Sequence, residues 1–426
     1  MIWFYRLLFI PAFLIAIPYY AMRMIRRGGY AKDFSHRFGG QKNLPKVAKG
    51  KTRFWIQAVS VGEVEAISTL VDKFALRDDV ELVITTTTST GYKILREKYA
   101  PKCFYVGVFP MDFWLFSRRA WNKIKPDVCI LMEGELWPEH MHQAKVRGAK
   151  LLLLNARISD KSFKRYLKIP YFARRLFDKF SAICVSNEID VERFIALGAS
   201  QSRLHLTGNM KFDSKPSKYL DDAEKLGLRK ELGFAPDSFV LLGSSTWAGE
   251  EDMLLKALDK IRAKGIDCRL LLVPRHAERR EQIKKIIADY PHCVRSESKQ
   301  ADDGTLVYLA DTTGELRMFT QVGDLAFVGK SLSPNVGGQT PIDCASLGTP
   351  IVYGPNMTNF HRACETLERD GAVVKVQDAQ TAISEIVRLA ENQQIRETLA
   401  VKAKKWHESN VGATDRTFEI IEKSIA

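Results

Sequence analysis

Short apolar, β-rich runs alternate with amphipathic stretches along most of the chain. This alternation is typical of βα units arranged around a parallel sheet, and it predicts an α/β fold. In the first half of the chain the predicted strands are Phe54–Val59, Glu81–Thr86, Phe104–Val108, Asp127–Met132, Lys150–Asn155 and Ala182–Ser186. In the second half they are Phe239–Ser244, Arg269–Pro274, Leu306–Leu309, Asp324–Val328, Pro350–Tyr353 and Ala372–Val376.

The alternation stops between Lys211 and Asp237, a polar, proline-containing segment with little β pattern. A linker with one helix across it is the simplest interpretation. A chain of 426 residues with 46% apolar content is long enough for two domains that each bury a core. We therefore predict two doubly wound domains at residues 23–212 and 238–412, joined by a linker at 213–237.

The N-terminal run Ile2–Met22 is apolar and carries Arg6 as its one charged residue. With a rise of about 1.5 Å per residue, such a helix is just long enough to cross the hydrocarbon core, and two prolines within it can bend it. We expect residues 1–22 to form a marginal membrane span or a deep anchor. A cleaved signal peptide fits less well, because the basic flank follows the apolar run and no small-x-small cleavage site ends it.

The distribution of charged residues also favours a membrane anchor at the N-terminus. The 64 Lys and Arg residues exceed the 50 Asp and Glu residues by 14, which implies an anionic partner: nucleic acid, acidic lipid or a phosphorylated substrate. Between Arg23 and Arg53 stand ten basic residues and one acid, Asp33, directly after the apolar run. This placement favours inner-membrane anionic lipids over nucleic acid. By the positive-inside rule, the chain after Arg23 is expected on the cytoplasmic face.

Cysteine and histidine usage predicts neither disulfides nor a metal site. The seven cysteines are scattered and contain no C-x-x-C pair, so we expect reduced packing residues. The histidines, among them His36, His140, His142 and His276, show no ligand spacing.

The first candidate for chemistry is Ser60-Val61-Gly62-Glu63, which follows the strand-like run Phe54–Val59. The pattern reads as strand, loop and helix start, the place where acidic side chains and helix N-termini converge on a cleft. The alternative is structural, because a glutamate in the first turn of a helix often caps it and complements its dipole.

Further blocks along the chain resemble, in the same order, those of the 3-deoxy-D-manno-octulosonic acid (Kdo) transferases of lipopolysaccharide synthesis. They are Met132-Glu133-Gly134-Glu135-Leu136-Trp137-Pro138, Gly208-Asn209-Met210-Lys211-Phe212-Asp213, Pro274-Arg275-His276 and Gly337-Gly338-Gln339-Thr340-Pro341. The resemblance covers nearly the whole chain and implies the GT-B arrangement, with two Rossmann-like domains facing a cleft. It places the acceptor on the N-terminal domain and the CMP-sugar on the C-terminal domain. A C-terminal helix at 413–426 is expected to cross back.

The resemblance also implies catalytic roles. Glu63 matches the general base of the family, a task that suits a carboxylate whose pKa is raised by burial. Glu133 matches the first acid of its block, and a structural hydrogen-bonding hub is the open alternative. Lys211 matches a lysine thought to stabilise the transition state, although an isolated lysine is usually solvated surface.

For the CMP pocket the resemblance implies three sets of residues: Pro274 and Arg275; Gly314, Glu315 and Leu316; and Thr340, Pro341, Ile342 and Asp343. The Arg275 fork could bind phosphate oxygens bidentately. The other two sets are expected to begin helices, whose free N–H groups suit phosphate or cytosine. The paired glycines Gly337 and Gly338 permit close approach to phosphate, or alternatively form only a turn.

The last block departs from the usual Gly-Gly-His-Asn-Pro-Leu-Glu of the family. Gln339 replaces the histidine, Thr340 the asparagine, and Asp343 the glutamate expected to hold ribose. A carboxylate is retained one methylene shorter, which leaves the geometry of the pocket open. The sequence contains no Asp-x-Asp, so we expect transfer without a metal or other cofactor, with CMP-Kdo as the donor substrate.

Two aromatic stretches are candidates for acceptor binding. Phe109–Phe116 is unusually aromatic, and Lys161–Phe180 mixes seven Lys and Arg residues with aromatic ones. Core packing explains some of these side chains. A basic, aromatic stretch beside an anchored domain also suits the phosphates and acyl chains of a lipid A precursor, an interpretation that favours Lys161–Phe180 over Phe109–Phe116.

Taken together, these features predict an inverting, membrane-anchored glycosyltransferase that moves Kdo from CMP-Kdo to a lipid A precursor of the lipid IVA type. A nucleotide-sugar epimerase on the same fold is one alternative, which is expected to lack the anchor and the basic acceptor face. A non-enzymatic lipid-binding protein is another, which the joint presence of Glu63, Glu133, Lys211 and Arg275 argues against.

Overall fold

The computed structural model describes residues 2–27, 32–214, 216, 218–298 and 300–425. The chain divides into two compact units. Unit 1 consists of Met1–Lys215 together with Val411–Ala426, and unit 2 of Pro216–Asn410. The helix that ends the described chain therefore belongs with the N-terminal part of the sequence.

Unit 1 contains a parallel sheet with the strands β1 Thr52–Gln57, β2 Val80–Thr86, β3 Tyr105–Val108, β4 Val128–Met132, β5 Lys150–Ala156, β6 Ala182–Val185 and β7 Leu204–Leu206. Their order is β3-β2-β1-β4-β5-β6-β7. The helices of its N-terminal part are α1 Ile2–Arg27, α2 Val61–Ala66, α3 Ser68–Ala75, α4 Ser89–Ile94, α5 Trp114–Ile124, α6 Pro138–Val146, α7 Asp160–Leu167, α8 Pro170–Phe177 and α9 Glu188–Ala196.

Unit 2 repeats this plan with the strands β8 Phe239–Thr246, β9 Cys268–Pro274, β10 His292–Val294, β11 Val307–Leu309, β12 Leu325–Val328, β13 Ile351–Tyr353 and β14 Val374–Lys375. Their order is β10-β11-β9-β8-β12-β13-β14. Its helices are α10 Asp222–Glu231, α11 Glu250–Ala263, α12 Arg280–Ile286, α13 Leu316–Thr320, α14 Ile342–Leu347, α15 His361–Arg369, α16 Ala379–Glu391 and α17 Gln393–Asn410. The final helix, α18 Ala413–Ile425, packs in unit 1.

The predicted α/β class is confirmed, because each unit forms a parallel sheet in the described part of the chain. Every predicted strand overlaps an observed one. The strands β7 and β10 were not predicted. Each is only three residues long and includes a histidine and a side chain that is not buried, so neither shows the apolar run that marks the other short strands.

Both faces of each central strand are buried, which explains why these strands are apolar throughout. In β1, Phe54 and Ile56 join one core cluster while Trp55 joins the cluster on the opposite face. All three side chains are fully buried. The functional consequence lies at the carboxyl ends of the strands, where polar residues follow directly.

Each sheet has a topological switch point, where two neighbouring strands lead into connections that run in opposite directions. In unit 1 this point lies between β1 and β4, and in unit 2 between β8 and β12. Ligands of open α/β sheets bind in the crevice beyond the carboxyl ends of such strands. A binding site is therefore expected at the loops that follow these four strands.

Helix α1 is attached to unit 1 by two polar contacts. The hydroxyl of Tyr5 donates to the buried Asp112 carboxylate over 2.7 Å, and the Arg6 guanidinium donates to both oxygens of Glu139 over 2.8 Å each. Glu139 is fully buried beneath the helix. A ring contact between Phe4 and Phe172 also joins α1 to α8.

The opposite face of α1 is strongly apolar and exposed, with Leu7, Leu14 and Ile15 more than half accessible. Among the described residues, no helix combines the length and the apolar character needed to cross a membrane. The predicted membrane span is therefore not found in α1, while the helix itself is present.

We expect Arg6→Met to release α1 from unit 1. The substitution leaves the Glu139 carboxylate buried and unpaired, which for a buried pair costs about 3–5 kcal/mol. Hydrogen exchange followed by mass spectrometry should show faster exchange within residues 2–27 while β1 and β4 stay protected. Arg118→Met, at an exposed position of α5, is the matched control. Unchanged exchange of α1 in Arg6→Met would mean that its apolar contacts alone hold it.

Candidate active site

Glu63 lies in the first turn of α2, directly after β1, and its side chain turns back onto the loop. Its Oε2 accepts from the Val59 N–H over 2.9 Å, and its Oε1 accepts from the Ser60 hydroxyl over 3.2 Å. Ser60 in turn caps the helix by accepting from the Glu63 N–H over 3.4 Å. The capping role considered from the sequence is therefore present in the structure.

The environment of Glu63 also gives the carboxyl group an unusual proton affinity. The side chain is 6% exposed. Burial, followed by the negative charge of Glu133, raises the pKa of Glu63 to about 8, against the opposing effects of the Val59 N–H and the Lys211 charge. A carboxyl group with a pKa near neutrality is suited to accept a proton during a reaction. Capping and acid–base chemistry are compatible in this residue.

Glu133 follows β4 across the switch point of unit 1. Its backbone has a φ of 54°, a left-handed conformation that is costly for a glutamate and often marks functional sites. Its Oε1 accepts from Lys211 Nζ over 2.5 Å, and its Oε2 from Arg157 Nε over 2.8 Å. Burial raises the pKa of Glu133, but the charges of Lys211 and Arg157 outweigh this effect and hold it below its usual range.

Lys211 reaches this carboxylate from the short 3₁₀ helix Met210–Asp213. Two asparagines set the position of that helix: Asn209 accepts from the Lys211 N–H, and Asn155 at the end of β5 accepts from the Met210 N–H, both over 3.0 Å. At its other end, the Asp213 carboxylate accepts from the Gly412 N–H over 2.6 Å, ahead of α18. The return of the chain to unit 1 thus helps to place Lys211.

The structure brings three sequence-predicted residues together in unit 1: Glu63, Glu133 and Lys211. The two carboxyl groups have pKa values that are pushed in opposite directions, which is the arrangement expected when one handles protons and the other stays charged. Sequence reasoning missed Arg157, which gives Glu133 its second cation. No motif marks this arginine, since its role depends on β4 and β5 being neighbours.

In unit 2, Pro274 ends β9 and Arg275 follows it with an exposed side chain. The Arg275 N–H donates to the Thr246 carbonyl over 3.2 Å, which joins the loops after β9 and β8. This places the residue at the ligand-binding edge of the sheet.

In the second predicted set, the structure gives Glu315 a different role from Gly314 and Leu316. Gly314 has a φ of 94° and Leu316 begins α13, as expected for a helix start. The Glu315 carboxylate, however, accepts from Nε and Nη2 of Arg295 over 2.8 and 2.7 Å. With the Arg295 side chain only 5% exposed, Glu315 has a clear structural role in this ion pair.

The third predicted set, Thr340, Pro341, Ile342 and Asp343, surrounds the start of α14. The Thr340 hydroxyl accepts from the Ile342 N–H over 3.2 Å, and Pro341 directly precedes the helix. Asp343 accepts from Arg317 Nε of α13 over 2.8 Å. Arg317 was not anticipated, and its pairing holds the Asp343 carboxylate in one orientation.

Gly337 and Gly338 both have left-handed backbones, with φ values of 109° and 71°. A side chain at either position would collide with Asn359 or Met357. The turn itself therefore requires glycine at both positions, which is the structural alternative considered from the sequence.

Within the ranges that the structure describes, no group of three or more His, Cys, Asp or Glu side chains is placed to hold a metal ion. The described cysteines are unpaired thiols.

The raised pKa of Glu63 predicts a pH-dependent stability difference. An acid whose folded pKa lies above its unfolded value destabilises the fold as pH rises between the two, because unfolding then releases a proton. Relative to Glu63→Gln, the wild-type protein should lose melting temperature from about pH 5 to about pH 8. Glu97→Gln, an exposed glutamate of unit 1, is the control. A difference that stays constant with pH would leave capping as the whole role of Glu63.

The chain is similar in sequence to one described protein family and to individual proteins of that family. The sequence model described as 3-deoxy-D-manno-octulosonic-acid transferase (kdotransferase) matches residues 32–214. The 3-deoxy-D-manno-octulosonic acid transferase of Rickettsia typhi is 31% identical over 376 residues, covering 87% of this chain and 77% of the relative. That of Chlamydia pneumoniae is 26% identical over 425 residues, covering 99% of this chain and 96% of the relative.

Among solved structures, the UDP-GlcNAc 2-epimerase from Neisseria meningitidis bound to UDP-GlcNAc matches with a TM-score of 0.59 at 12% identity. The match covers 88% of this chain and 99% of that one, and it is a likeness of fold. The relatives in sequence, in contrast, match this chain at 26% and 31% identity over most of their length. The chain therefore belongs to the 3-deoxy-D-manno-octulosonic acid (Kdo) transferase family and is a glycosyltransferase.

Proposed function

We propose that this enzyme transfers Kdo from CMP-Kdo to a lipid A precursor, with inversion at the anomeric carbon and without a metal or other cofactor. The observation that carries the proposal is the buried carboxyl group of Glu63, with its pKa raised to about 8, beside the charged Glu133 and Lys211. The names of the sequence relatives, which specify the transferred sugar, support the choice of donor.

In the proposed reaction, a hydroxyl of the acceptor attacks the anomeric carbon of Kdo. The Glu63 carboxylate accepts the proton of that hydroxyl while the new C–O bond forms. The bond between the anomeric carbon and the phosphate oxygen breaks on the opposite face, and CMP leaves with the electron pair. Glu63 acts only in its ionised form, so the rate depends on its deprotonation.

Lys211 supplies positive charge where negative charge develops, and Glu133 holds the Lys211 ammonium over 2.5 Å. We assign Glu133 a positioning role. Its lowered pKa leaves it charged at neutral pH, so it is a poor proton acceptor, and its two cations fix it in place.

For the donor we propose the residues at the carboxyl edge of the unit 2 sheet. Arg275 would donate charge-assisted hydrogen bonds to the phosphate. The starts of α13 and α14, with Pro274, Gly314, Leu316, Thr340, Pro341 and Ile342, would surround the nucleotide. Asp343, oriented by Arg317, would accept hydrogen bonds from ribose hydroxyls. Glu315 would support this pocket through Arg295.

We further propose that α1, together with α7 and α8, places unit 1 at the cytoplasmic face of the inner membrane, where the lipid acceptor resides. The exposed apolar face of α1 suits insertion at an interface. Helices α7 and α8 and the turn between them present a set of exposed basic residues beside it: Lys161, Lys164, Arg165, Lys168, Arg174 and Arg175. Leu167, Ile169 and Tyr171 are exposed among them. Cationic and apolar groups side by side match anionic lipids.

In the other stretch considered for the acceptor, Phe109 is buried in the core and Phe113 packs against Phe9 of α1 in a tilted arrangement, with 5.5 Å between ring centroids. Packing accounts for these aromatic side chains, so the proposed acceptor surface is that of α7 and α8.

The central test is the transfer activity of the Glu63→Gln variant. The amide keeps the shape of the side chain but cannot accept a proton, so turnover should fall by roughly a hundred- to ten-thousand-fold. Turnover is measured as the release of CMP from CMP-Kdo in the presence of a defined lipid A precursor. The mass of the product identifies the sugar that is transferred. In the wild-type enzyme kcat/KM should rise with pH and level off above about 8. Wild-type turnover in Glu63→Gln would rule out this mechanism.

Membrane attachment is tested with Leu7→Glu combined with Ile15→Glu, at positions that are 69% and 81% exposed. Placing charges in the apolar face should reduce sedimentation with anionic vesicles by roughly tenfold or more. Leu76→Glu is the matched control, because Leu76 is 88% exposed but follows α3. Equal loss in the control would point to a general effect of charge, and retention in the α1 variant would show that another surface binds.

A further inference from the structure

The switch point of unit 2 is flanked by the loop after β8, residues 247–249, and by the start of the loop after β12, residues 329–332. No binding role was predicted from the sequence for these residues, in contrast to Thr340 and Pro341 near the end of the second loop. Because ligands of open α/β sheets occupy the crevice at this point, side chains here are expected to face a bound nucleotide sugar.

Lys330 stands at the start of the second loop with a φ of 60°. This left-handed conformation favours glycine and is strained for lysine. Its Nζ lies 4.5 Å from the centroid of the Trp247 ring in the first loop. Trp247 itself packs edge-on against His276, which follows β9, with ring centroids 5.1 Å apart. A cation is thus held on an aromatic face across the switch point.

One carboxylate fixes both loops. Glu250, at the start of α11 and 1% exposed, accepts through Oε2 from the N–H groups of Trp247 and Lys330 over 2.8 and 2.9 Å. Its Oε1 accepts from the Ser331 N–H over 3.0 Å. The backbones that carry the indole and the ammonium are therefore held by a shared group, and their separation is set by it.

The charge of Lys330 is available to a ligand. Arg279, a cation near the same edge, is paired with the fully buried Glu251 over 2.7 and 3.0 Å. Within the described residues, Lys330 forms no ion pair with a carboxylate, and its side chain is half-buried. The crevice of unit 1 contains the carboxyl groups of Glu63 and Glu133. The crevice of unit 2 instead contains the ammonium of Lys330, which lies on the indole of Trp247.

We propose that Lys330, held over Trp247, binds an oxyanion of the sugar-nucleotide donor, and that Glu250 positions it. The inference rests on the proposed function, because the donor CMP-Kdo carries two such groups, the phosphate and the sugar carboxylate. An ammonium binds either of them through charge-assisted hydrogen bonds. The indole face restricts the lysine to one side of the crevice.

The test uses Lys330→Gly and Lys330→Met in the full chain, with binding measured by calorimetry. Glycine suits the left-handed backbone, so this variant should fold at least as well as the wild type while it lacks the ammonium. Both variants should bind CMP-Kdo roughly 10- to 100-fold more weakly. Lys256→Met, an exposed lysine on α11, controls for the loss of one charge.

Two further ligands identify the oxyanion. If Lys330 binds the phosphate, CMP binding weakens in parallel with CMP-Kdo binding, whereas cytidine binding stays unchanged. If it binds the sugar carboxylate, only CMP-Kdo binding weakens. Wild-type affinity for CMP-Kdo in both Lys330 variants overturns the inference. Failure of the wild-type protein itself to bind CMP-Kdo overturns the proposed function instead.

The positioning role of Glu250 has a separate readout. Glu250→Gln places an amide N–H against backbone N–H groups and should release Lys330. If Glu250 acts through Lys330, Glu250→Gln should weaken CMP-Kdo binding in the wild-type background and have little further effect in Lys330→Met. Equal, additive losses in the two backgrounds would mean that Glu250 serves the fold alone.

Discussion

The structure depends on one repeated interaction, a buried glutamate at the start of a helix that accepts backbone N–H groups of the loops beside it. Glu63 does this for the Val59 N–H in unit 1, and Glu250 for the N–H groups of Trp247 and Lys330 in unit 2. Each glutamate follows a strand that borders the switch point of its sheet, β1 in unit 1 and β8 in unit 2. A buried carboxylate that satisfies backbone donors makes the loop rigid at the edge of the sheet where a ligand is expected.

The buried glutamate at the helix start has opposite electrostatic consequences in the two units. In unit 1 it brings Glu63 near the charged Glu133, and burial together with this charge raises the pKa of Glu63. In unit 2 it aligns backbone N–H groups beside Lys330, whose ammonium lies on Trp247. One crevice is therefore suited to take up a proton, and the other to bind an anion. Family membership and this division of chemistry agree with glycosyl transfer.

Much of the fold could be predicted, because buried parallel strands produce long apolar runs that alternate with amphipathic helices. Glu63 was recognisable because a strand, a Ser/Gly turn and an acid in the first helical turn form a local pattern. Arg157 and Arg317 could not be recognised in this way. Their importance comes from the partners Glu133 and Asp343, which are 24 and 26 residues away in sequence. The marginal span or deep anchor predicted for residues 1–22 rested on length and hydropathy, and among the described residues no helix is long and apolar enough to span a membrane. The polar contacts of α1 to Asp112 and Glu139 depend on tertiary packing and could not be predicted.

The sequence by itself determined the α/β class and singled out Glu63, because both depend on local pattern and on residue type. Resemblance to a known family supplied Glu133 and Lys211 as candidates. Tertiary structure alone decided what those residues are able to do. Strand order places β1 beside β4 and β8 beside β12, and so decides which charges meet. The proton affinity of a carboxyl group depends on burial and on neighbouring charges, and both arise only when distant segments pack together.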